Sequence, residues 1–210
     1  MGVAAMTPHV HDLVQIGDLG AVREVNQDAP PWVWRSLRAT PWVVVRRPHA
    51  CHGLIPAGVR GDERAQRHPI DVPLTAVTQV VAPHHLTARL LDGAPTGAIT
   101  GTVAALRAWF SALDTAGLVW GPVGAVGFEL ATGRRVTTVA SDLDIVVTMT
   151  TWPGPHALWR LPRTPTRLDC LLETPTGAVA WAEAASDARD VLWRTPGGPR
   201  LARNPRRAAA

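Results

Sequence analysis

The densest chemistry in the chain lies in five residues, Ser141-Asp142-Leu143-Asp144-Ile145. Along a β-strand, side chains two apart share a face. A strand here presents Asp142 and Asp144 side by side, with Leu143 and Ile145 buried behind them. Two carboxylates that close repel unless a cation sits between them. Mg²⁺ takes oxygen ligands and usually combines one or two carboxylates with substrate phosphate oxygens. The pair therefore points to Mg²⁺ and a phosphorylated substrate. The bland alternative is a turn aspartate followed by a solvated strand residue.

Two neighbouring features share this chemistry. Upstream lies Gly124-Ala125-Val126-Gly127-Phe128, where glycines at a turn let backbone N–H groups approach a phosphate closely. Downstream, Asp169 stands among Leu168, Cys170, Leu171 and Leu172, which invites the reading of a third carboxylate aimed at the same metal. Glu173 is its rival, four residues on in the same strand and on the same face.

These residues need elements to position them. Residues 102–116 place Val103, Leu106, Phe110 and Leu113 on one helical face, with Gly117 as a stop. Residues 121–132 (GPVGAVGFELAT) read as a Gly-rich turn leading into a strand, which makes Glu129 a residue of the alternate strand face. Residues 143–149 form the next strand. Residues 167–173 and 179–185 form a hairpin pair joined by Thr174-Pro175-Thr176-Gly177. Earlier in the chain, residues 29–40 read as a helix opened by prolines and 42–46 as a buried strand. Residues 49–60 read as turn-rich, 77–81 as a strand and 83–91 as a short helix. The small-residue stretch 92–100 (DGAPTGAIT) serves as a linker. It divides an N-terminal lobe, 1–91, from a catalytic domain, 92–210. The basic end, 204–210, is expected to fray.

The order helix, Gly-rich turn, strand, Asp-x-Asp strand, third-Asp strand resembles the DNA polymerase β-like nucleotidyltransferase fold. The segment Trp120–Gly133 (WGPVGAVGFELATG) together with Ser141–Asp144 (SDLD) narrows this. It resembles the phosphoribosyl-dephospho-CoA transferases, the holo-acyl-carrier-protein synthases of malonate decarboxylase. The likeness extends to PWVVVRR at 41–47, IPAGVRGDERAQR at 55–67, His11-Asp12-Leu13 and the stretch 171–183. One departure is Ala125, where that family usually carries serine, so a hydroxyl contact to phosphate falls to backbone N–H groups or Ser141.

The resemblance implies an α+β fold of two lobes, the C-terminal one a nucleotidyltransferase-like mixed β-sheet with flanking helices. It also implies the reaction. The donor is 2′-(5″-triphosphoribosyl)-3′-dephospho-CoA, the acceptor a serine of the apo acyl-carrier subunit of malonate decarboxylase, and pyrophosphate leaves. On this reading Asp142, Asp144 and Asp169 are catalytic and hold Mg²⁺. Gly124, Gly127 and Ser141 meet the phosphates. Arg60, Arg64 and Arg67 grip the donor from the N-terminal lobe, Arg60 foremost. Trp120 is a candidate to stack on adenine.

Composition bears on the rivals. All 21 basic residues are Arg and the net charge is only +4, although the isoelectric point is near 10.7. Guanidinium groups grip phosphate or carboxylate through two hydrogen bonds. A non-catalytic nucleic-acid binder would need a larger charge or a basic-aromatic repeat. Another small nucleotidyltransferase would share the carboxylates without needing the N-terminal lobe. The pairs His9/His11 and His84-His85 lack partners at metal-ligand spacing. Cys51 and Cys170 form no disulfide framework and suit a reducing cytoplasm. No apolar run approaches the roughly 18 residues of a membrane span. MGVAAMTPHVHDL carries no basic start, so no secretory signal is expected, and Met6 is an alternative start.

Overall fold

The computed structural model describes residues 7–47, 53–63, 65–93, 99–152, 156–161 and 167–208. Arg64, Cys51 and most of the 92–100 linker lie outside them. The chain divides into two compact units, Met1–Ala82 and Pro83–Ala210.

The first unit runs β1 (Leu13–Ile16), α1 (Leu19–Glu24), α2 (Pro31–Ala39), β2 (Trp42–Val45), β3 (Leu54–Arg60), β4 (Arg67–Pro73) and β5 (Val77–Val81). Its strands form one antiparallel sheet in the order β4-β3-β2-β1-β5. Pro31 starts α2, where a missing N–H costs nothing. The helix buries Val33, Trp34 and Leu37 with Val14, Val43, Val45, Val59 and Val72 of the sheet. The turn-rich reading of 49–60 is corrected by β3. Ile55, Ala57 and Val59 alternate inward there, while Pro56 and Gly58 fall on the other face. Their turn propensity yields to burial of the alternating apolar set. Asn26 ties β4 to the loop after α1, giving its amide N–H to the Asp71 carbonyl at 2.7 Å and accepting the Asp71 N–H at 2.9 Å.

The second unit runs α3 (Thr87–Leu91), α4 (Thr100–Thr115), β6 (Val119–Pro122), α5 (Gly124–Thr132), β7 (Leu143–Thr148), β8 (Leu168–Thr174), β9 (Gly177–Ala180), α6 (Trp181–Ala184), β10 (Asp190–Thr195), β11 (Gly198–Arg203) and α7 (Pro205–Ala208). The sheet order is β11-β10-β9-β8-β7-β6. It is a mixed sheet: β7 and β8 run parallel, and the other neighbours are antiparallel. The helical face expected for α4 is buried as read, with Val103, Leu106, Phe110 and Leu113 all in the core.

Four expectations are corrected in this unit. The break between units falls at Ala82/Pro83, before the short helix and not after residue 91. A 3-10 turn, Pro83–Leu86, packs on β6 so closely that a Cβ on Gly121 would overlap the Pro83 carbonyl. Thr87 Oγ1 donates to the Trp120 carbonyl at 2.9 Å, and the Arg89 guanidinium to the Leu130 carbonyl at 3.1 Å. Those bonds assign residues 83–91 to the second unit. Next, residues 124–132 are a helix and not a strand. Val126 to Leu130 are buried consecutively, and such a run carries no period that separates helix from strand. Finally, the second arm of the 174–177 hairpin ends at Ala180, where Trp181 opens α6. The C-terminal segment 204–208 is also better held than a frayed end. Asn204 is fully buried and donates to the Ala188 carbonyl at 3.1 Å.

Candidate active site

The site forms where β7 and β8 begin. Leu143 and Ile145 are fully buried, so the strand pleat turns Asp144 away from the core. In the parallel ladder Asp144 is level with Asp169, and Leu143 with Leu168. Partners across a ladder share a face, so the two carboxylates stand on adjacent strands as neighbours. Glu173 is level with Thr148 at the far end of β8 and is buried. The fold therefore sets Asp169, and not Glu173, beside Asp144.

Helix α5 closes the site from above. Its first residue, Gly124, has φ +62°, in the left-handed region that favours glycine. A Cβ there would overlap the Asp144 carboxylate, so the helix start and the acid are in direct approach. The Val123 N–H donates to the Asp144 carbonyl at 2.9 Å and fixes the strand-to-helix turn. No side chain caps α5. Its first-turn N–H groups and the positive end of its dipole therefore present an anion-binding end next to Asp144. Ala125, where the resembled family usually carries serine, lies in that first turn.

Gly127 acts otherwise than expected. It is buried, and a Cβ there would lie 2.6 Å from the Pro122 carbonyl oxygen. It lets α5 fold back against β6 and does not reach the phosphate end. Ser141 has its hydroxyl in a turn, accepting the Thr138 N–H at 2.9 Å.

Asp142 is half-exposed and stands just before β7. Its Oδ1 lies 3.4 Å from Nε of Arg167, a residue missed in the sequence reading. The Arg167 Nη2 also donates to the carbonyls of Val139 at 2.7 Å and Ser141 at 2.6 Å. The available signal was an arginine two positions before Asp169, just ahead of β8. Among the described residues, no three His, Cys, Asp or Glu side chains converge on one point. Asp144 and Asp169 come together, and Asp142 turns to Arg167. The donor set still fits Mg²⁺ chemically, being carboxylate oxygen alone with an anion-binding helix end beside it.

Trp120 is not an adenine platform. It is buried, stacked on Phe110 at 4.6 Å between ring centroids, and gives its indole N–H to Asp114 Oδ1 at 2.7 Å. Glu129, read as a strand residue, is a buried helix residue whose Oε2 accepts the N–H groups of Val136 and Thr137, each at 2.9 Å. Burial pushes the Cys170 thiol well above its ordinary range, and the Asp169 charge adds to the effect. His84 and His85 lie exposed on the 3-10 turn.

In the first unit, Arg60 and Arg67 are cross-strand partners at the turn end of the β3–β4 hairpin. Arg67 is exposed, and one guanidinium nitrogen donates to the Gln66 carbonyl at 2.9 Å.

Sequence similarity gives the class of the protein, a transferase. The chain belongs to the phosphoribosyl-dephospho-CoA transferase family: residues 73–205 match the family described as "Phosphoribosyl-dephospho-CoA transferase MdcG C-terminal domain", and residues 9–83 the corresponding N-terminal domain. It is 37% identical over 205 residues to a phosphoribosyl-dephospho-CoA transferase of Pseudomonas putida, covering 94% of this chain and 95% of that protein. An Azotobacter vinelandii protein of the same name is 37% identical over 216 residues, covering 98% and 97%. A Klebsiella pneumoniae relative is 36% identical over 204 residues, covering 95% and 96%. No solved structure matches the chain significantly. Among the described residues, no helix is long and apolar enough to cross a membrane.

Proposed function

We propose that the chain transfers the 2′-(5″-phosphoribosyl)-3′-dephospho-CoA group from its triphosphate precursor to a serine of the apo acyl-carrier subunit of malonate decarboxylase, in the cytoplasm. The reading rests on one observation above all: Asp144 and Asp169 are level on adjacent parallel strands, with the Gly124 end of α5 against Asp144. Family membership supplies the substrate class.

In the reaction, the serine oxygen forms a bond to the α-phosphorus and the α–β bridging P–O bond breaks. Pyrophosphate departs and a phosphodiester remains. Asp169, the more exposed of the ladder pair, accepts the serine proton. The first-turn N–H groups of α5 orient the triphosphate, and their dipole offsets charge that grows on the leaving oxygens. Asp144 and Asp169 would hold Mg²⁺, which when bound supplies charge neutralisation at the phosphates, with the Asp142 charge just before β7. Arg60, Arg64 and Arg67 of an N-terminal donor-binding lobe grip the donor phosphates, and Arg-rich surface steers an acidic carrier.

The test is transfer from the triphosphoribosyl donor to apo carrier protein with Mg²⁺, read by intact mass. Asp144→Asn and Asp169→Asn are expected to lower the rate by about 10³-fold or more, as loss of preorganised charge does, with unchanged melting. A fully active Asp144→Asn/Asp169→Asn double variant overturns the reading.

A further inference from the structure

We propose that residues 133–141, which join α5 to β7, are a loop clamped at both ends by Glu129 and Arg167, and that the clamp positions Asp142 for transfer. The second half of this statement rests on the function proposed above. Both residues act through Asp142 and are positioning residues.

The first anchor is a buried carboxylate. Glu129 lies in the middle of α5, and its Oε2 takes three donors from the loop: the Val136 N–H at 2.9 Å, the Thr137 N–H at 2.9 Å and the Thr137 hydroxyl at 2.7 Å. A buried carboxylate is costly unless its charge is met by such donors, so the loop and the helix hold each other. The second anchor is the guanidinium of Arg167, at the entrance to β8. One of its nitrogens bridges the Val139 and Ser141 carbonyls, and Nε faces Asp142 Oδ1. Its backbone is part of the same joint. Arg167 has φ +70°, and its carbonyl accepts the Leu143 N–H at 2.9 Å. Between the anchors, Ser141 N–H donates to the Thr138 carbonyl and Thr138 N–H to Ser141 Oγ, each at 2.9 Å.

Apolar packing does not hold this loop, since Val139 at its tip is 77% exposed. Polar bonds do, and they come from the two elements that carry the rest of the site. Helix α5 sets its first residue against Asp144 and its buried glutamate against the loop. Strand β8 supplies Asp169 and, just before it, Arg167. Asp142 has no strand ladder of its own, so the clamp is what fixes where its carboxylate stands.

The experiment is hydrogen exchange by mass spectrometry on the unliganded, metal-free chain, paired with steady-state transfer kinetics. Wild type is compared with Arg167→Ala, Arg167→Lys and Glu129→Gln. Arg167 is surface-exposed, so its variants keep the fold; Gln retains an acceptor oxygen at the buried position. Arg167→Ala is expected to speed exchange in peptides spanning 138–142 by about tenfold, with α4 unchanged. Its kcat falls by about 10²-fold, as a misplaced group does, while the donor KM stays within about twofold. Arg167→Lys does not rescue, because an ammonium lacks the planar fork. Glu129→Gln loosens peptides spanning 135–138. Unchanged exchange in the Arg167 and Glu129 variants overturns the clamp. Faster exchange with wild-type kcat overturns its positioning role. A wild-type chain without transfer activity overturns the function above, and exchange then still decides the clamp.

Discussion

Substituting Gly124 separates backbone strain from site chemistry. Gly124 and Gly117 share a left-handed backbone, φ +62° and +65°. An alanine at either costs about 1–2 kcal/mol of backbone strain. In a unit of this size that lowers Tm by about 3–8 °C. The surroundings differ. Around Gly117 an added Cβ meets nothing within 4 Å, whereas at Gly124 it overlaps the Asp144 carboxylate. Gly124→Ala must therefore displace Asp144 or the start of α5, and a displacement near 1 Å at a reacting group costs about 10²-fold in rate. Melting curves and the mass-read transfer assay are run on both variants. Gly124→Ala is expected to lose at least as much stability as Gly117→Ala, because its Cβ also meets Asp144. Gly124→Ala loses about 10²-fold in kcat, and Gly117→Ala stays within about twofold of wild type. A Gly124→Ala enzyme as active as Gly117→Ala refutes the argument that the helix start and Asp144 form one site.

Trp120→Phe removes the bond to Asp114 but keeps an aromatic ring against Phe110, so stability falls by about 1–2 kcal/mol. Donor KM stays unchanged; a raised KM would restore Trp120 to the substrate site. The Cys170 thiol, pushed up by burial and the Asp169 charge, stays protonated through neutral pH and so is no nucleophile. A thiol reagent at pH 8 is expected to leave Cys170 unlabelled in the native chain and to label it in urea, with peptide mapping as the readout. Native labelling would contradict its burial.

Much of the site was legible in residue types and spacing. Asp144 and its buried flanks, Leu143 and Ile145, follow from a two-residue period, and Asp169 stood out as an acid in an apolar run, whereas Asp142 stands before the strand and faces Arg167 instead of pairing with Asp144. Elements with clear periodicity were equally plain, as in α4. The failures have a common cause. Residues 126–130 are buried on every face, Glu129 included, and a run without an apolar period does not separate helix from strand. Pro56 and Gly58 masked the alternation of β3. Glu129 and Trp120 were misread because an acid or an indole reveals its role only through its partners, which are the 136–137 amides and Asp114.

By itself, the sequence determined the chemistry on offer: carboxylates two apart, glycines before them, a third acid downstream, and arginine as the only fixed side-chain cation. Those facts are local, set by side-chain type and strand period. Which acids meet was decided by tertiary structure alone. The parallel register of β7 and β8 put Asp169 rather than Glu173 beside Asp144, and the packing of α5 on β6 brought Gly124 against that carboxylate. Register and packing depend on how whole faces are buried together, and that information is spread over the core rather than held in the motif.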